Sequence, residues 1–320
     1  MGHFQLKNKF NINDIAEDYI IPESDFINID NNGNVIQLEY FEDEQNKFQF
    51  TDLKPGIWKI IKTQMGIDIQ PTSFIKDTIL DTLVSSKKIE DIIDCFFTNI
   101  HLYKEFGIEV AKRNVLVYGE AGLGKTTAIA KAINKYVSQQ DVAVLVWGTS
   151  EIASSHVKQF IKYFNYVGVN KLILIAEDIG GSENREYRTE STSSLLSLLD
   201  NQEKTFTIPT MIIATTNYPE NLEANLANRP GRFDDKIESQ YPEPNERVQL
   251  MEFFSKSPVS KEVAELLKSP RCSKFSPSHI KEAFIRSKLR SQDLEKTLLD
   301  IIEEIHLYSK GFSKRKDVGF

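Results

Sequence analysis

A chain of 320 residues that is 40% hydrophobic and 27% charged has the balance of a globular protein with room for about two domains. No apolar run approaches the roughly 18 residues of a membrane span, and residues 1–6 lack the basic start and apolar stretch of a secretory signal. The net charge of −7 is uneven: residues 1–95 set nine Lys and no Arg against 17 acidic residues, which disfavours a phosphate backbone as partner there, whereas residues 271–320 set 11 Lys and Arg against seven acidic residues.

Residues 1–87 read as a small β-rich region. Two apolar runs, 26–30 and 35–41, flank Asn32-Gly33, a pair that tolerates the positive φ of a hairpin turn. Residues 48–50 and 56–61 read as further strands, and a helix is expected after Pro71-Thr72-Ser73. Another helix runs over about 88–106, with Ile89, Ile92, Ile93, Phe96, Phe97 and Ile100 as its apolar stripe. Strands at 115–118, 142–147, 172–176 and 210–214 then alternate with helices at 126–137, 150–166 and 191–200. Such alternation implies a parallel sheet with helices on both faces. Beyond Pro244 only helices are expected, at 245–254, 261–268, 277–290 and 292–307, before a loose tail over 311–320. Cys95 and Cys272 are far apart and lack metal-ligand spacing, so both read as reduced thiols of a cytoplasmic protein.

Gly119, Glu120, Ala121, Gly122, Leu123, Gly124, Lys125 and Thr126 fit G-x-x-x-x-G-K-[ST], followed by Thr127. The match lies between an expected strand and an expected helix, which is where a phosphate cradle belongs. Backbone amides face the phosphates, Lys125 reaches the β- and γ-phosphates, and the Thr126 hydroxyl binds Mg²⁺. The nucleotide is ATP. Glu177-Asp178 ends a strand at the carboxyl edge of the sheet, where carboxylates hold magnesium and polarise the attacking water. Asn217 ends the next strand and can orient that water. Arg229-Pro230-Gly231-Arg232-Phe233-Asp234 adds two arginines three residues apart.

With these motifs in place, residues 88–290 resemble an AAA-family ATPase. The resemblance implies a P-loop NTPase α/β fold, with a five-stranded parallel sheet flanked by helices and a C-terminal helical lid. It implies domains over 88–243 (ATPase) and 244–310 (lid). By it, Asn217 is the sensor-1 residue, while Arg229 and Arg232 are arginine fingers that enter a neighbour's ATP site. Gly107 and Ile108 would line the adenine. Ser276-Pro277-Ser278-His279-Ile280 matches the lid segment over the nucleotide, with His279 as its contact, although a helix-capping turn accounts for that segment equally well. A homo-oligomeric ring, usually of six, follows because each site borrows arginines.

Two departures stand out. The strand-end order is Glu177 then Asp178, the inverse of the usual pair and shared with the mitochondrial AAA translocases that assemble the respiratory bc complex. Glu177 then takes the magnesium side and Asp178 the position of the base. Tyr166-Val167-Gly168 has the residue types of a threading loop but lies six residues before Leu172, so it reads as a helix end. Phe160, Tyr163 and Phe164 share one helical face and read as core or subunit contact. The leading expectation is a ring-forming ATPase that remodels or translocates a protein or protein complex, with the acidic N-terminal region docking the client. A nucleic-acid loader on the same core and a low-turnover assembly scaffold are the alternatives.

Overall fold

The computed structural model describes residues 10–11, 47–48, 56–62, 67–72, 84–137, 141–148, 157–158, 161, 169–180, 195–196, 198–199, 206–219, 222 and 232–316. The expected hairpin at Asn32-Gly33, the helix after Ser73, the 163–168 segment and Phe160 lie outside these residues.

The architecture is a central sheet with helices on both faces, followed by a helical unit. Its strands are β1 (Gly56–Lys62), β2 (Ile67–Pro71), β3 (Lys112–Tyr118), β4 (Val142–Gly148), β5 (Lys171–Glu177), β6 (Thr210–Thr216) and β7 (Asp235–Glu238). Their spatial order is β2-β1-β4-β5-β6-β3-β7, with every pairing parallel except β1–β2. The five strands that the resemblance implies are β4, β5, β6, β3 and β7. β1 and β2 extend that sheet, so the N-terminal region expected to stand apart over 1–87 places two strands in the ATPase sheet. The reason is legible in Gly56-Ile57-Trp58-Lys59-Ile60-Ile61. This run is apolar on both faces, as an interior strand requires: Ile57 joins the core under one face, and Trp58 and Ile60 join the core under the other.

Helix α1 (Val84–Thr98) and helix α2 (Ile100–Glu105) occupy the single helix expected over 88–106. The break is at Asn99, whose side chain donates to the Cys95 carbonyl at 2.8 Å alongside its own N–H at 3.2 Å. α1 packs on α3 (Lys125–Val137), burying Ile89, Ile93, Phe96, Ile129 and Ile133 against Val115, Val117 and Val144. The opposite face of the sheet is covered by Val157, Ile161, Leu195, Leu198 and Leu199, all buried against Leu145, Leu174 and Ile212. Those residues fall in the two helices expected at 150–166 and 191–200.

The lid comprises α4 (Pro244–Ser255), α5 (Lys261–Lys268), α6 (Pro277–Leu289) and α7 (Leu294–Lys316). Leu250, Met251, Leu267, Cys272, Phe275, Ile280, Ala283, Leu298 and Ile301 form its separate core. Arg247, only 4% exposed, donates to the carbonyls of Leu267 (2.6 Å), Pro242 (2.7 Å) and Lys268 (3.5 Å). It thereby satisfies orphan carbonyls at the end of α5 and fixes the strand-to-lid connection. α7 continues through Gly311 to Lys316, correcting the tail expected from 311. No helix among the described residues is long and apolar enough to cross a membrane.

Candidate functional site

Parallel strands deliver their carboxyl ends to one edge, and the expected chemistry collects there. β3 ends at Tyr118, and the chain curls through 119–124 before α3 begins at Lys125. Gly119 has φ +144°, and a Cβ there would lie 2.5 Å from the Ser239 carbonyl oxygen. Ser239 cannot retreat freely, because its N–H donates to the Tyr118 carbonyl at 2.7 Å. Gly124, at φ +77°, completes the curl, so successive amides line a concave anion nest ahead of the positive end of α3. Thr126 and Thr127 are exposed on the first turn of that helix.

Lys125 is 6% exposed. Its ammonium donates to the Gly119 carbonyl (2.7 Å), the Glu120 carbonyl (2.9 Å) and Asn217 Oδ1 (2.5 Å). Burial pulls its pKa down, and the negative charge of Asp178 opposes that shift. Asn217 Nδ2 in turn donates to Asp178 Oδ1 at 3.1 Å. Lys125 at the start of α3 and two residues just past strand ends thus form one chain of hydrogen bonds at the sheet edge. Asp178 holds a left-handed backbone, φ +53°. Its N–H donates to Thr215 Oγ1 at 3.0 Å, and the N–H of Ile179 donates to the Thr215 carbonyl at 2.8 Å.

Glu177 closes β5. Burial pushes its carboxyl pKa up, Lys59 pulls it down, and Asp178 pushes it up further. Lys59 lies on the same face of the sheet: it pairs with Val146, and Val146 pairs with Ile175, two residues before Glu177. A partly desolvated carboxylate of this kind favours a cation beside it. Among the described residues, no three His, Cys, Asp or Glu side chains converge. The available donors are the Thr126 hydroxyl and the Glu177 carboxylate, hard oxygens that suit Mg²⁺ completed by phosphate and water.

A cleft of about 610 Å³ opens beside the loop, lined among others by Glu120, Ala121, Asn217, Tyr218, Glu238 and Tyr241. The Tyr241 hydroxyl donates to Glu120 Oε2 at 2.6 Å. Burial and that carboxylate push the phenol pKa well above its ordinary range, so it remains a donor at neutral pH. From the lid, Ser278 Oγ donates to the Gly122 carbonyl at 3.2 Å, which seats the start of α6 on the P-loop. His279 caps that helix: its Nδ1 accepts the Ser276 N–H at 3.1 Å, and its own N–H donates to Ser276 Oγ at 3.3 Å. Burial lowers the His279 pKa, which keeps the capping nitrogen an acceptor.

The structure thus brings together Gly119 to Thr126, Asp178 and Asn217. Gly107 and Ile108 follow α2; Ile108 is 45% exposed, and neither lines the cleft described above. Arg229 is outside the described residues. Arg232 is buried, 6% exposed within its own chain. Asp234 pins the segment to β3 by accepting the Asn114 N–H on Oδ2 (2.8 Å) and donating its own N–H to the Asn114 carbonyl (2.9 Å). Sequence reading missed Thr215, Lys59 and Tyr241, which belong to no motif and which only the folded register sets beside one; Ser278 lies in the quoted lid segment, but its contact with the Gly122 carbonyl was not foreseen.

The strand order and the nest ahead of α3 define a P-loop nucleoside triphosphatase. Residues 115–241 match the family described as "ATPase family associated with various cellular activities (AAA)". The chain carries an AAA-family ATPase domain. It is 29% identical over 175 residues to ATPase family gene 2 protein homolog A of Homo sapiens, covering 52% of this chain and 19% of that one. It is 26% identical over 259 residues to Protein HYPER-SENSITIVITY-RELATED 4 of Arabidopsis thaliana, covering 75% and 42%. A putative 26S proteasome regulatory subunit homolog of Methanocaldococcus jannaschii is 28% identical over 253 residues, covering 74% and 64%. The chain therefore spans from about a fifth to under two thirds of the length of these relatives.

Proposed function

We propose that this chain binds ATP with Mg²⁺, hydrolyses it, and works as a homo-oligomeric ring, of six copies, that remodels or moves a protein or protein complex. The observation that carries the reading is the hydrogen-bonded chain Lys125–Asn217–Asp178 beside the glycine nest. It joins a phosphate-seeking cation, a water-orienting amide and a carboxylate base in one place. The loop amides and Lys125 receive the phosphates, and the Thr126 hydroxyl and Glu177 hold the Mg²⁺. When bound, that ion neutralises charge on the phosphate oxygens. Asp178 accepts the proton of the attacking water, and Asn217 holds both in line. Arg229 of an adjacent copy supplies charge to the γ-phosphate. The lid contact of Ser278 with the P-loop gives nucleotide occupancy a mechanical output.

Remodelling is supported by the kind of relative found, one of which is named for a proteasome regulatory subunit. The acidic N-terminal third is a suitable dock for a client or adaptor. The test is ATP hydrolysis per subunit as a function of protein concentration, for the native chain and Arg229→Ala. A rate that rises with concentration and collapses in the variant supports sites completed between copies. A concentration-independent rate indifferent to Arg229 would remove the ring.

A further inference from the structure

We infer that Thr215 is a positioning residue for hydrolysis: it clamps the turn that carries Asp178 and so aims the carboxylate at Asn217. The inference rests on the reading of Asp178 as the base given above.

The paired register of β5 and β6 ends at Ala176–Ala214. One residue later on β6 stands Thr215, where β5 is about to leave the sheet. Two successive amides of the departing strand close on this one residue, Asp178 N–H on its hydroxyl and Ile179 N–H on its carbonyl. Between them Asp178 takes a left-handed backbone, a conformation that non-glycine residues adopt only when their surroundings hold them there. The bend returns the Asp178 side chain to Asn217, two residues beyond Thr215 and just past the end of β6. Thr215 and Asn217 thus fix both ends of one residue, its amide and its carboxylate. Thr215 is 3% exposed, so no bulk water replaces the hydroxyl if it is removed. The geometry also bears on the Glu177-Asp178 order. A short carboxylate has little reach, so its aim depends on the backbone that carries it.

The experiment compares Thr215→Val and Thr215→Ser with the native full-length chain. It reads the maximal rate of ATP hydrolysis, the affinity for a fluorescent ATP analogue under non-hydrolysing conditions, and the melting temperature. Valine keeps the shape and removes the acceptor, whereas serine keeps the acceptor. The expected result is a loss of roughly ten- to hundredfold in kcat for valine, with nucleotide affinity within about twofold of native, and recovery in serine to within about threefold. Should the valine variant fail to fold, Thr215→Ala read against Thr215→Ser carries the same comparison. A native kcat in the hydroxyl-less variant overturns the inference, and so does a loss of nucleotide affinity that accounts for the whole rate change. Asp178→Asn is measured alongside. If it hydrolyses ATP at the native rate, the reading of Asp178 fails. If it is inactive while Thr215→Val is native, only the role of Thr215 fails.

Discussion

Replacing Gly119 by alanine, set against the same change at Gly124, separates two costs that a P-loop glycine can carry. Both glycines hold a positive φ, +144° at Gly119 and +77° at Gly124. A Cβ at Gly124 meets no heavy atom within 4 Å, so Gly124→Ala bears only the backbone cost, about 1–2 kcal/mol for a residue in the left-handed region. At Gly119 the backbone lies in a region nearly reserved for glycine, at about 1–3 kcal/mol. There the new methyl also meets the Ser239 carbonyl at 2.5 Å and Leu123 Cδ1 at 3.3 Å. Leu123 can turn, but the Ser239 carbonyl belongs to backbone tied to Tyr118. Relieving that contact means moving the end of β7 or of β3, at about a further 1–3 kcal/mol. Gly119→Ala should therefore destabilise the ATPase domain by about 2–6 kcal/mol in total, clearly more than Gly124→Ala. Urea unfolding without nucleotide, followed by tryptophan fluorescence, measures the difference, since Trp58 and Trp147 are both buried in the large domain. Equal destabilisation by the two variants would refute the claim that the close approach of β7 makes Gly119 obligatory.

Two further outcomes test the lid. Burial lowers the His279 pKa below its ordinary value, so its contribution is present above about pH 6.5, the unfolded value, and is lost as pH falls through the lower folded one. Thermal melts between pH 7.5 and 5.5 should show the native lid losing more stability than His279→Gln, and parallel curves would refute the cap. Arg247→Met, which strips three carbonyls of their donor, should cost about 2–4 kcal/mol; a loss under about 0.5 kcal/mol in urea unfolding would show those carbonyls to be satisfied without it.

The parts of the fold legible in the sequence were those written in contiguous residues. Leu172-Ile173-Leu174-Ile175-Ala176 could only be a strand covered on both sides, and all five are buried. The eight P-loop residues carry their own geometry, so loop and helix start were fixed before any tertiary contact was known. What escaped was information held by register. Lys112-Arg113-Asn114 is too polar to read as strand, yet Lys112, Arg113 and Asn114 pair with Thr210, Met211 and Ile212. β7 is only four residues with a single buried one, Ile237, a pattern that local reading does not separate from a loop.

The strand contributed by residues 56–62 also sets where this protein can be cut. β1 covers one edge of β4, and Trp58 and Ile60 fill a core shared with Leu145 and Trp147. A fragment begun at residue 88, which the motifs alone suggest as the catalytic unit, would bare the edge of β4 over Ala143–Val146 beside an apolar surface. Exposed strand edges of that kind recruit other chains. The smallest well-behaved ATPase unit therefore starts ahead of Gly56, so that β1 keeps its hydrogen-bonded ladder with β4.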